Sequence, residues 1–223
     1  MPTAYVEDFV SRGSGIPDTK DKILQVAEGL FAENGFKATS LRMITKAAEV
    51  NIASVNYHFG SKDDLIIELI RQGIRPLNQD RFRLLDEFEQ EAKEKGERLT
   101  IERVLEAFYR PAFTYFIHES KRNFLRVLGR CLYEDGAYMD EIMEKDWQPL
   151  CERFLKGFCA ALDMRPEHFP QWRFHFALGA MIQTFNPVTL GMIQEVEPEK
   201  LLSELIAFSA AGMQSEPKRG EAL

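Results

Sequence analysis

A run of small, polar and aromatic side chains between residues 52 and 59 carries the most specific chemistry in this sequence. Placed on a helix at about 100° per residue, Ala53 and Tyr57 lie opposite Val55, with Ser54 and Asn56 on the flanks. That outward face offers hydroxyl and amide hydrogen-bonding groups and no acidic residue. A short helix packed along one side and neutral but hydrogen-bonding along the other suits the major groove of DNA. A second constellation is Arg126 and Arg130, one helical turn apart in a short apolar segment, where a guanidinium can meet a carboxylate or a phosphate. Glu119, Glu134 and Asp135 offer both arginines ordinary surface partners, so the two readings stand side by side. A third is aromatic: of 25 Phe, Tyr and Trp residues, 16 fall between Phe108 and Phe185. Phe108, Tyr115 and Phe116 flank Pro111, and Phe154 and Phe158 are one turn apart. Helices interrupted there would leave an apolar cavity suited to an acyl chain, while core packing accounts for most rings in any helical protein.

Catalytic signatures are missing. The chain has no G-x-S-x-G, no P-loop, no H-E-x-x-H and no Gly-rich dinucleotide turn. His118, His168 and His175 pair with no carboxylate or thiol at metal-ligand spacing. The sequence therefore argues for neither an enzyme, a metal nor a cofactor.

The elements that must position these residues are all helical. Thr39 or Ser40 can cap a helix whose Leu41, Ile44 and Ala48 form one apolar stripe; residues 49–51 break it, and Asn51 can cap a second on Ile52, Val55 and Phe59. A preceding helix starts near Asp18 and ends at Asn34-Gly35, a left-handed stop. Beyond Lys62, Asp63 and Asp64 favour a helix N-terminus, and Pro76 predicts a kink or a fresh start. Amphipathic helices are then expected over 77–95, 101–119 with a kink at Pro111, 122–133, 139–162 bent at Pro149, 169–185 and 198–213. No stretch alternates with period two long enough to propose a strand. The expectation is an all-α chain: a flexible tail over 1–17, a three-helix helix-turn-helix domain over 18–64, and a larger helical ligand-binding and dimerisation domain over 65–223.

Residues 19–70 resemble the DNA-binding domain of the TetR family of bacterial transcriptional repressors. The likeness rests on ILQVAEGLFAENGF, the helix pair, and the closing YHFGSKDDLI in that order. SLRMITKA followed by VNYHFGSK is closer still to the PsrA-type branch, which responds to long-chain fatty acids. The resemblance implies a ligand-released repressor that binds a near-palindromic operator as a homodimer. It implies phosphate contacts from Thr39, Ser40 and Arg42, base-edge contacts from Ser54 and Asn56 beside Ala53, and backbone anchoring by Tyr57, His58 and Lys62. On the helical wheel His58 lies near the buried side, which gives it a packing role as an alternative. The chain departs from many relatives at Ile52, often basic, and at Asn56, often tyrosine. An effector, acyl in the PsrA-like reading, would meet Phe108, Tyr115, Phe116, Arg126, Arg130, Phe154 and Phe158. A helical scaffold protein and a lipid-processing enzyme with a fused helix-turn-helix are the competing readings.

Composition is compatible with this. Residues 17–62 carry six Lys/Arg against five Asp/Glu, a balance of +1, so the overall −7 leaves −8 on the remainder. A near-neutral head in front of an acidic body permits DNA binding, because local charge sets phosphate attraction. Three cysteines without ligand spacing and a non-basic N-terminus point to a cytoplasmic protein. The 21 residues between Arg173 and Glu195 lack Asp, Glu, Lys and Arg, but Asn186-Pro187 would break a membrane span, so a buried helix and loop are expected. With Ala207, Ala210, Ala211 and Gly212 behind it, this region is also where the resemblance puts the dimer contact.

Overall fold

The computed structural model of the chain describes residues 18–131, 138–186 and 196–215, and every regular element among them is helical. The expected tail over 1–17 and the loop after Asn186 lie outside the described residues. Three short helices make the head: α1 (Thr19–Asn34), α2 (Leu41–Ala48) and α3 (Ile52–Phe59). Each boundary has a local cause. Gly35, at φ +83°, ends α1 with its N–H on the Phe31 carbonyl. The Ser40 hydroxyl accepts from the Met43 N–H at 3.2 Å to start α2, and the Asn51 side chain accepts from Ala53 N–H at 2.9 Å to start α3. Between them Glu49 adopts the left-handed conformation, which turns the chain within two residues. Ile23, Ala27, Phe31, Ile44, Ala48, Val55 and Phe59 close the small core.

Helix α4 (Lys62–Lys95) follows as one uninterrupted 34-residue helix. Ser61 and Asp64 form a reciprocal capping box at its start, and left-handed Gly96 ends it. Pro76 neither starts a helix nor divides this one. The separate helix expected over 77–95 is thus the second half of one longer rod. One turn before the proline, the Phe124 ring lies directly on the backbone of Gly73; a Cβ there would come within 2.2 Å of the ring.

The body adds α5 (Ile101–Ile117), α6 (Glu119–Cys131), α7 (Tyr138–Ile142), α8 (Gln148–Leu162), α9 (Gln171–Thr184) and α10 (Pro198–Gln214). Pro111 is buried inside an unbroken α5. The helix expected over 139–162 is divided by a π-helical turn, Met143–Trp147, just ahead of Pro149. Pro149 has no N–H for the carbonyl one turn back, and a widened turn accommodates that loss. Tyr109 of α5 ties the last two helices together: its hydroxyl donates to the Ala177 carbonyl at 3.1 Å and lies 2.8 Å from the Ser209 hydroxyl.

Two glycines in helix interiors should respond oppositely to alanine. Gly73→Ala must displace the Phe124 ring and should cost about 1–3 kcal/mol. Gly29→Ala, with nothing within 4 Å of the new methyl, should gain about 0.5–1 kcal/mol. Urea unfolding midpoints measure both, and a neutral Gly73→Ala would mean the ring does not sit on the backbone.

Candidate nucleic-acid interface and internal cavity

The outward side of α3 is the first candidate surface. Val55 and Phe59 are buried, while Ala53, Asn56 and Tyr57 are exposed, Tyr57 to 86%. Ser54 and His58 are half-buried. The His58 ring lies 5.1 Å from that of Tyr57 and 6.1 Å from that of Phe59, an edge position between the exposed face and the core. Ser40 and Arg42 stand exposed at the start of α2.

Two expected contact residues are turned inward. Thr39 is fully buried, and its hydroxyl reaches the carbonyls of Gly35 at 2.8 Å and Leu30 at 3.2 Å. It fastens the turn after α1 instead of facing a phosphate. Lys62 is half-buried and donates to the Phe36 carbonyl, so its ammonium ties the start of α4 to the α1–α2 turn. Sequence spacing could not foresee either, because both depend on where that turn lies.

Head and body meet along α1 and α6. Burial pushes the Glu28 carboxyl up, opposed by Lys121 and by a hydrogen bond from the Phe124 N–H. At the far end Arg130 donates to the carbonyls of Ala32 at 3.3 Å and Glu33 at 3.1 Å. These carbonyls belong to the last turn of α1, where a cation is favourable. Phe36 and Tyr138 add an edge-on ring contact at 5.4 Å.

Behind this joint lies a partly open cavity of about 670 Å³, lined by residues of α4, α5, α6, α7, the π turn and α9, with Ala32 and Glu33 of α1 at one end. Its volume is in the range of small-molecule sites, and its lining is mainly apolar: Ile74, Leu77, Leu125, Leu128, Trp147, Ile182 and Phe185 among others. Arg126 and Arg130 line it, as the sequence suggested. The five aromatic residues expected there do not. Phe108, Phe154 and Phe158 are fully buried and pack on one another and on Phe174, with ring centres 5.1–6.3 Å apart. Tyr115 packs on Phe124 at 6.3 Å, and Phe116 touches the cavity only through its stack on Phe185 at 5.0 Å. Because α5 is unbroken at Pro111, no gap opens beside these rings, and they form core.

Sequence reasoning missed Arg81. It is 1% exposed and lines the cavity. Its Nε donates to the Phe108 carbonyl at 2.9 Å and its Nη1 to the Asn78 side-chain oxygen at 3.1 Å, while Nη2 lies 3.9 Å from the Met181 sulfur. The guanidinium rests over the Phe108 ring at 4.3 Å. Burial pulls its pKa down to about 9. The signal was present: Ile74, Leu77, Arg81, Leu85 and Phe88 fall on one stripe of α4, and Arg81 is the charged member of it.

Comparison with known proteins decides the family. Residues 23–69 match the model of bacterial regulatory proteins of the tetR family, and residues 106–212 match the tetracyclin repressor-like C-terminal domain. The chain belongs to the TetR family. Its head is 44% identical over 54 residues to the probable HTH-type transcriptional regulator YttP of Bacillus subtilis, and 43% over 51 residues to the regulator QacR of Staphylococcus aureus. These matches take in 24% and 23% of this chain and about a quarter of each relative (26% and 27%). At the level of fold the likeness covers nearly the whole TetR-family chain. The ketosteroid regulator KstR2 of Mycobacterium tuberculosis superposes with a TM-score of 0.62 at 16% identity, covering 91% of this chain and 98% of that one. The fatty acid degradation regulator FadR of Bacillus halodurans gives 0.60 at 15% identity, covering 91% and 100%. The matched families are transcriptional regulators and not enzymes. No helix among the described residues is long and apolar enough to cross a membrane.

Replacing Thr39 by valine, nearly isosteric, takes the hydroxyl donor from the buried Gly35 carbonyl, while the Leu30 carbonyl keeps the Asn34 side-chain amide, and should lower unfolding stability by about 1–3 kcal/mol. Thermal unfolding followed by circular dichroism measures this. A loss near zero would return Thr39 to the surface.

Proposed function

We propose that this TetR-family chain is a repressor that binds a near-palindromic operator as a homodimer and is released by a small apolar effector. In its finest form, the effector is a long-chain fatty acid or its acyl-CoA, as in the PsrA-type branch. The reading rests on one observation above all: α1, which helps bury α3, also lends Ala32 and Glu33 from its last turn to the cavity wall. A ligand filling the cavity acts on the same Ala32 and Glu33 that Arg130 holds, so occupancy and head position compete for one joint. Release by a factor of 100 in operator affinity needs a coupling of about 2.7 kcal/mol, within the usual range.

In this reading Ser54, Asn56 and Ala53 face base edges, with Ser40, Arg42 and Tyr57 on the backbone. Pairing of two copies is supported by α9 and α10, which leave Trp172, Phe176 and Phe208 61–73% exposed. Ala207, Ala211 and Gly212 are exposed as well, whereas Ala210 turns into the core. Large rings beside small residues on adjacent helices suit a two-fold contact between copies.

Each part has its measurement. Asn56→Ala should change preference at one half-site position by about 1–3 kcal/mol; equal losses on operator and random DNA would remove the base-reading role. Ala211→Glu should yield helical monomers with weak operator affinity, and a dimer persisting in light scattering would move the interface. Free acids from octanoate to octadecanoate, titrated into the operator complex, should release it with affinity rising by about 0.8 kcal/mol per buried methylene until the cavity is full. A response flat in chain length would overturn the acyl effector.

A further inference from the structure

We infer that Arg81 is the anion anchor of the cavity: its ligand is an amphiphile whose carboxylate lies on the buried guanidinium and whose apolar body runs toward Leu125, Ile182 and Phe185. This rests on the reading of the cavity as a ligand site. On one face of α4, Arg71, Arg75, Asn78 and Arg81 follow each other at successive turns. Arg71 pairs with Glu141 at 2.9 Å and Asp146 at 3.0 Å, and Arg75 pairs with Asp146 at 3.3 Å. Asn78 donates to the Asp146 backbone carbonyl at 3.1 Å and accepts from Arg81. Among the described residues the acids paired along this face stop there. The hydrogen-bond partners of Arg81 are a carbonyl, an amide oxygen and a thioether, all neutral.

A guanidinium has five N–H donors. Three directions are used here, one of them on a sulfur at 3.9 Å. A buried cation without a counter-charge is costly, and an incoming carboxylate supplies both the charge and the acceptors. The other two cavity arginines are placed differently: Arg130 holds the end of α1, and Arg126 is exposed, where water weakens any pair. The cavity wall around Arg81 is apolar, with Leu77, Ala112 and Leu178 beside it. The acid group therefore goes in first. A free acid meets this polarity; a methyl ester or a thioester has no carboxylate to offer.

The test uses the full-length protein with dodecanoate, methyl dodecanoate and dodecanol, followed by isothermal titration calorimetry. Dodecanoate should bind about 10- to 100-fold more tightly than the ester. Arg81→Met should bring that ratio close to one while leaving ester affinity in place, and Arg126→Gln should keep the ratio. A measurement on the wild type guards against a variant that does not fold. Carboxyl-labelled dodecanoate, titrated by carbon-13 NMR when bound, should ionise well below its value in water. A bound acid titrating at or above its free value overturns the assignment, as does a ratio that survives Arg81→Met and collapses in Arg126→Gln. Binding of all three probes without preference rejects Arg81 alone. Binding of none rejects the ligand-site reading and the anchor with it.

Discussion

Helix α4 has to satisfy two hydrophobic cores at once, and the rest of the molecule is built on its doing so without a break. At its start Leu65, Ile66 and Leu69 are buried with the head, and further on Leu77, Leu85 and Phe88 are buried with the body. Thirty-four residues at 1.5 Å each make a rod about 51 Å long. Its N-terminus is fixed immediately after the reading helix by left-handed Gly60 and the Ser61–Asp64 box. The Lys20–Glu68 pair at 2.6 Å and the Lys62 bond to Phe36 hold it to the head. Cap and turn thus join the start of this rod directly to the end of α3.

The polar groups inside this frame follow a pattern of diminishing compensation. Near the head, charges on α4 have full partners; at Asp146 two arginines share one carboxylate that is 4% exposed. At Arg81 the compensation is by dipoles and a ring face alone. Low dielectric makes the satisfied pairs rigid and the unsatisfied charge expensive. That gradient ends at the cavity wall. Burial also pushes the Cys151 thiol up to about 11 and the Tyr115 hydroxyl up to about 12, so both stay protonated near neutral pH.

The prolines show why local rules and tertiary outcome parted. Pro76 and Pro111 each remove one helical hydrogen bond. Both helices nevertheless continue, because packing supplies more than the lost bond: Phe124 seats on Gly73 beside the first, and the second is buried along most of its length. Pro149 is the case in which the helix yields, by a π turn whose residues Met143 and Trp147 line the cavity. With α5 intact, the aromatic residues around it close into core, and the space the sequence suggested there opens instead between α4, α6 and α9.

By itself the sequence determined the helical class, the three head helices with their caps at Ser40 and Asn51, and the split of α3 into a buried side at Val55 and Phe59 and an open side at Asn56 and Tyr57. These follow from period and capping chemistry, which act within a few residues. It also singled out Arg126 and Arg130, whose spacing puts both at the cavity. Only the tertiary structure decided that Thr39 and Lys62 bond inward, that Phe108, Phe154 and Phe158 are core, and that Arg81 is the buried cation of the cavity. Each of these depends on a partner outside the residue's own helix or turn period: Leu30 for Thr39 and Phe36 for Lys62 across the turn after α1, Phe174 from α9 for the rings, and Phe108 and Met181 from α5 and α9 for Arg81. Periodicity tells which side of a helix is covered; it carries no record of what covers it, and for a ring or a guanidinium that difference separates packing from binding.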